Sequence, residues 1–135
     1  MAITAGLTLT SGADDLVSDA LSLSVTTGLT KAGNSTALSL TSGLGRKKLA
    51  SGHAQYTLFD GDDYTADGAH KLYLKNTSTD ASEYFAIDIN SERMGKLYAG
   101  DWALFPWDAN ASTNDIKIDP SANDMVLEYM LFTDD

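Results

Sequence analysis

An all-β sandwich or jelly roll, with an extended Ser/Thr/Gly-rich N-terminal arm or hairpin, is the fold class this sequence predicts. Three observations carry the prediction. Short apolar-rich segments bounded by Gly, Pro, Asn and Asp recur at a spacing of roughly 8–12 residues, the rhythm of sandwiches and barrels. Nowhere does a 3.6-residue apolar stripe persist long enough for a helix of ordinary length. The aromatic residues are unevenly placed: all twelve lie at or after Tyr56, while residues 1–52 hold sixteen Ser or Thr. A length of 135 residues and a hydrophobic content of 43% suit one domain with a real core. That domain divides into an arm or hairpin over 1–52 and a sandwich core over 53–135.

The arm lacks the large side chains that bury most area, so it must pack on the rest of the domain or on a neighbouring subunit. It contains an internal echo. Ala20–Leu29 and Ala37–Leu44 both alternate apolar with hydroxyl residues and close on Gly-Leu. Period-two alternation places Leu21 and Leu23, and likewise Leu38 and Leu40, on one face of a strand. With Lys31-Ala32-Gly33-Asn34 as the turn, the two copies are expected to pair as a hairpin with one greasy and one hydroxyl face.

The core reads as strand after strand. His53–Phe59 stops at Asp60-Gly61-Asp62-Asp63, a turn sequence, and Lys71–Lys75 ends at Asn76. Tyr84–Ile89 alternates Phe85, Ile87 and Ile89 and ends at Asn90. Met94–Leu97 leads through the turn Tyr98–Asp101 into Trp102–Phe105, which Pro106 is expected to close. Asp115–Ile118 is short and ends at Pro120, and Met125–Phe132 is the longest apolar-rich run, expected as a buried strand. Asp14–Leu23 and Ser91–Gly95 hold enough helix formers for a turn or two of helix and no more.

Composition excludes several functions. With no cysteine there is no disulfide, thiol catalysis or cysteine-bound zinc. The net charge of -10 disfavours nucleic acid, whose phosphates need a surplus of Lys and Arg. No run approaches the roughly 18 apolar residues of a membrane helix, and the Met1-Ala2-Ile3-Thr4 start is not expected to be a signal peptide. Charge is divided like the aromatics: residues 1–52 net +1 and residues 53–135 net -11.

Catalytic chemistry is not expected. His53 and His70 have no histidine partner at metal-ligand spacing and read as surface or turn residues. The Gly-x-Ser-x-Gly elbow is missing, and with nineteen acids a carboxylate pair carries no information. The loop from Asp60 to Gly68 has the ligand type for Ca²⁺ but not the EF-hand pattern, and a solvated turn is favoured, so no metal or cofactor is expected. Gly45-Arg46-Lys47-Lys48 lacks the Gly-Lys-Ser/Thr end of a phosphate loop. Arg46, Lys47 and Lys48 are read instead as pairing with an acidic surface of the same domain or of a partner. Trp102, Phe105 and Trp107 are expected to anchor a core or an oligomer interface. Three Asn-x-Ser/Thr sites, at Asn34, Asn76 and Asn110, carry no weight without a secretion signal.

Leu97-Tyr98-Ala99-Gly100-Asp101-Trp102-Ala103-Leu104-Phe105-Pro106 resembles the Gly-Asp…Pro hairpin of cupin-like jelly rolls, in which Gly makes the turn and Pro ends the next strand. The histidines of that family are not beside it, so the scaffold is implied without the enzyme activity. With Lys71–Asn76 and Glu128–Phe132, the C-terminal 65 residues resemble small virion structural proteins of tailed bacteriophages, and the aromatic-free arm is similar to those that capsid decoration proteins lay on neighbours. The resemblance implies a non-enzymatic capsid decoration, or cement, protein that stabilises the assembled lattice. Its partner would be the major capsid protein or another virion protein, with a homo-oligomer, often a trimer, assembled in the host cytoplasm. The arm residues Leu21, Leu23, Leu38, Leu40, Arg46, Lys47 and Lys48 would carry the partner contacts, and Trp102, Phe105 and Trp107 the oligomer or core. A tail, adaptor or fibre-base component is an alternative. A carbohydrate-binding sandwich using Trp102, Trp107 and Tyr64, with or without Ca²⁺, is another.

Overall fold

The structure, a computed structural model, describes residues 3–15, 18–30, 38, 40–52, 54–65, 68, 70–110 and 113–133. Two N-terminal strands, β1 (Thr4–Thr10) and β2 (Ser22–Gly28), form a sheet of their own. The rest of the chain builds a sandwich. Its strands are β3 (Leu40–Thr41), β4 (Gly45–Leu49), β5 (Tyr56–Phe59), β6 (His70–Asn76), β7 (Tyr84–Ile89), β8 (Glu92–Tyr98), β9 (Trp102–Trp107), β10 (Ile116–Pro120) and β11 (Met125–Thr133). A 3₁₀ turn at Gly61–Asp63 follows β5. Among the described residues no helix is long and apolar enough to cross a membrane.

The pairing is nested. β4 pairs with β11, β5 with β10, β6 with β9 and β7 with β8, all antiparallel. The chain is therefore one long double-stranded hairpin whose tip is the two-residue turn Asn90-Ser91, with Asn90 in the left-handed region at φ 57°. Wrapping that hairpin makes two sheets, β4-β11-β6-β9 and β5-β10-β7-β8, closed by the β11–β6 and β10–β7 pairings. This order is a jelly roll, two Greek keys wound together. β3 prolongs the β4 edge along β11, past a kink where Gly43 takes φ 74° and the Ser42 hydroxyl accepts from Leu131 N–H.

Strict alternation drives the burial. On β6, His70, Leu72, Leu74 and Asn76 point inward while Lys71, Tyr73 and Lys75 point outward. Leu72, Leu74, Phe85, Ile87, Ile116, Ile118, Leu127 and Leu131 fill the space between the sheets. Burying a side chain of this kind stabilises by roughly 1.5–3 kcal/mol, so this layer holds the fold. One end is tied by buried Asn76, which donates to Leu97 O at 3.0 Å and Glu83 O at 3.2 Å and accepts from Ser78 N–H.

Several local expectations are corrected. Residues 22–28 pair with 4–10 instead of with the described residues of 37–44, in a register that sets Leu7 opposite Val25 and Leu9 opposite Leu23. Residues 40–41 go to the edge of β11 instead. The choice is physical: 4–10 offers the same apolar/hydroxyl alternation, and β11 needs an edge partner. Tyr98–Asp101 is a tight turn with Gly100 at φ 82°, but the strands it joins do not pair, because β8 and β9 belong to opposite sheets. Pro106 does not close its strand; β9 runs on to Trp107, and on an edge strand the missing N–H costs no ladder bond. Residues 22–28 and 92–98 are strand, so neither helical turn expected over 14–23 or 91–95 develops along its length. β4 and β3, both within 1–52, are strands of the sandwich edge. The 31–34 turn, Ala37 and His53 lie outside the described residues.

Candidate interaction surface

The β1–β2 ribbon is built only from Thr, Ser, Gly, Ala, Leu and Val. Alternation gives it an apolar face of Ala5, Leu7, Leu9, Leu23 and Val25 and a hydroxyl face that includes Thr8, Thr10, Ser24 and Thr26. Ser11 extends the ladder by one rung, its N–H donating to Leu21 O and its hydroxyl accepting from Leu21 N–H, which sets Leu21 on the apolar face. The base of the ribbon is anchored. Leu29 N–H donates to Ile3 O and Leu38 N–H to Leu29 O, and Leu29, Leu38 and Phe132 form a small second core against Ile3, Ala5, Tyr73 and Met130. Beyond that anchor Leu9, Leu21, Leu23 and Val25 are all exposed, Val25 by 50%.

The outer face of the β4-β11-β6-β9 sheet continues this surface. Trp102 (53% exposed) and Leu104 project from β9 beside the ribbon, and with Ala5, Gly6, Leu7 and Val25 they line an open cleft of about 150 Å³. Among the described residues no charged side chain lines it. Around it stand Lys71 and Lys75 of β6, cross-strand neighbours of Pro106 and Trp102. Nearby, Glu128 accepts from Arg46 Nη2 at 2.9 Å and from the Tyr73 hydroxyl at 3.1 Å. The Arg46 hydrogen bond holds the Glu128 carboxyl below the usual range, and burial pushes the Tyr73 hydroxyl up, with Glu128 adding to it.

The site residues expected from sequence fall into separate places. Leu21 and Leu23 lie on the ribbon and Leu40 is exposed on β3, whereas Leu38 is fully buried in the second core. Arg46 and Lys48 bridge Glu128 and Asp124 within the chain, and Lys47 sits 5.2 Å over the Tyr56 ring. Trp107 is a core residue at 3% exposure, its Nε1 donating to Asn114 O at 2.7 Å, and Phe105 packs half-buried against the same core. Trp102 and Trp107 are five residues apart on one strand and so face opposite sides of the sheet. They cannot form one aromatic platform.

His70 corrects the expectation of a surface or turn histidine. It is 1% exposed and points into an aromatic cluster with Tyr64 and Trp107, ring centroids 5.7 and 5.6 Å away. Its inward register on β6, shared with Leu72 and Leu74, was the overlooked signal. In the acidic loop, Asp60 caps the 3₁₀ turn by accepting from Asp62 N–H, and Asp115 accepts from Gly61 N–H. Among the described residues no group of three or more His, Asp or Glu side chains is placed to hold a metal ion; Asp67 of that loop lies outside them. Sequence reasoning also missed Leu9 and Val25, although Thr4–Thr10 alternates as clearly as the segment that was noticed. Comparison of the chain with protein-family models, with curated proteins and with solved structures finds no match in any of the three.

Proposed function

We propose that this chain is a non-catalytic virion structural protein, a capsid decoration protein whose jelly-roll body displays a β-ribbon that fastens it to the assembled particle. The observation that carries the reading is the ribbon itself, ordered at its base and exposing Leu9, Leu21, Leu23 and Val25 along one face. A two-stranded ribbon alone is marginal in water, and a contiguous apolar surface on it marks a docking site. The body supports the same reading. Several of its charged groups serve the fold: Arg93 pairs with buried Asp88 at 2.6 Å, Arg46 with Glu128, and Asp115 with a backbone N–H. A cement protein acts in many copies on one lattice, so modest contacts suffice.

The test uses full-length protein, because deleting residues 1–48 would also cut β3 and most of β4 from the sandwich edge. Particles purified from the encoding phage should contain the chain, with immunogold label over the capsid shell. A Leu9→Asp/Leu23→Asp double variant should bind the particles at least tenfold more weakly while keeping the melting temperature of the body. Absence of the chain from purified particles, or label confined to the tail, overturns the decoration assignment.

A further inference from the structure

Charge on the molecule is sorted in a way the net value conceals. The strands of the β3/β4-β11-β6-β9 sheet carry Arg46, Lys47, Lys48, Lys71 and Lys75 against one acid, Glu128, in a protein of net charge -10. Arg46, Lys48, Lys71 and Lys75 occupy the outer face, interleaved with Tyr73, Trp102 and Leu104. The turn at the far end of the ribbon has the opposite character: Asp14, Asp15 and Asp19 with no cation between Ser11 and Leu21. An acidic tip on an apolar ribbon thus complements a basic and apolar sheet face. Within one chain the base of the ribbon packs on this face and its middle, Leu7 and Val25, lies beside Trp102 and Leu104, while seven-residue strands carry the acidic tip about 24 Å from the base.

We propose that the ribbon of one copy crosses the outer face of this sheet in a second copy. A leucine of its apolar face would enter the cleft beside Trp102 and Leu104, and its acidic turn would lie over Lys71 and Lys75. The cleft volume of about 150 Å³ is that of a cavity that takes a benzene-sized group, room for one branched aliphatic side chain. Ribbon strands without charge let two acidic bodies associate while their bulk stays more than a Debye length, roughly 8 Å, apart. The inference names what covers the ribbon's apolar face before the particle does, and rests on the attachment reading only in treating the ribbon as a docking device.

Sedimentation equilibrium on the full-length chain, from micromolar to several hundred micromolar at low and high salt, tests this. The wild type should form a dimer or trimer whose dissociation constant rises with salt. Val25→Asp should weaken association at least tenfold and Lys75→Glu several-fold, while Ser24→Asp, the same added charge on the opposite face, should leave it unchanged. Circular dichroism checks that each variant keeps its sheet. A monomer at every concentration, or equal weakening by Ser24→Asp and Val25→Asp, overturns the inference. Particle binding is scored separately: a monomer that still decorates particles removes only this inference, and an oligomer absent from particles removes only the decoration reading.

Discussion

The ribbon and the jelly-roll body obey the same period-two rule and end in opposite conditions. On β6 alternate residues are buried, each inward side chain meeting the facing sheet. On β2 all seven residues are exposed, although leucine and valine alternate with hydroxyls just as regularly. What separates them is a second layer. The body folds a long hairpin onto itself, so its inward residues find one; the ribbon is packed into the body at its base and farther along borders only an open cleft beside Trp102 and Leu104. Alternation therefore specifies a strand and its two faces but does not supply the surface that covers the apolar one.

The largest effect should come from testing that contrast directly. Phe85→Ala, at a fully buried position, is expected to cost about 3–5 kcal/mol by urea unfolding. Val25→Ala, at a half-exposed ribbon position, should stay within about 0.5 kcal/mol in dilute solution. Equal losses would mean that the ribbon belongs to the body's cooperative unit, and the contrast would fall.

An intermediate effect is expected where the body closes its own end. Asn76→Ala leaves the carbonyls of Glu83 and Leu97 without their donor in a buried site. An orphaned buried acceptor costs about 1–3 kcal/mol, so a loss of roughly 2–4 kcal/mol is predicted from thermal or urea unfolding. A change below about 0.5 kcal/mol would show that the end of the sandwich is held by packing alone. No ribbon residue has a comparable role, which sharpens the difference between the two regions.

The body was largely legible in the sequence because its elements are written locally. Phe85, Ile87 and Ile89 alternate, Gly100 turns the chain, and Asn90 and Asn76 end strands where the structure ends them. Pairing was not legible, since it depends on which segments compete for the same edge. Thr4–Thr10 and Ala37–Leu44 are comparable partners for Ser22–Gly28, and only the demand of β11 for an edge strand decides between them. The interaction surface was half legible. Leu21 and Leu23 could be assigned to a greasy face from spacing alone. Grouping Lys71 and Lys75 with Trp102 and Leu104 required the β6–β9 register, which joins segments some thirty residues apart. Trp102 and Trp107 show the same lesson in reverse, being close in sequence and on opposite faces.

The smallest predicted effect divides the two regions by pH. The ribbon strands hold no ionisable side chain, so their stability has no acid dependence of its own. The β4 edge of the body does, through Glu128. Its carboxyl is held below the ordinary range chiefly by the Arg46 hydrogen bond, with the Tyr73 hydroxyl assisting. A carboxylate with a depressed folded-state pKa contributes stability above its unfolded value, and that contribution disappears as the pH falls through the folded value. Acidification below the usual glutamate range should therefore loosen β4 from β11, and Glu128→Gln should flatten this part of the acid limb. Arg46 is two-thirds exposed, which limits the effect to under about 1 kcal/mol. Hydrogen exchange resolves it by location: amides of β4 should lose protection on acidification after correction for intrinsic rates, while those of β1 and β2 hold theirs. Uniform loss across both would show that the acid sensitivity is global and remove its assignment to the Glu128 edge.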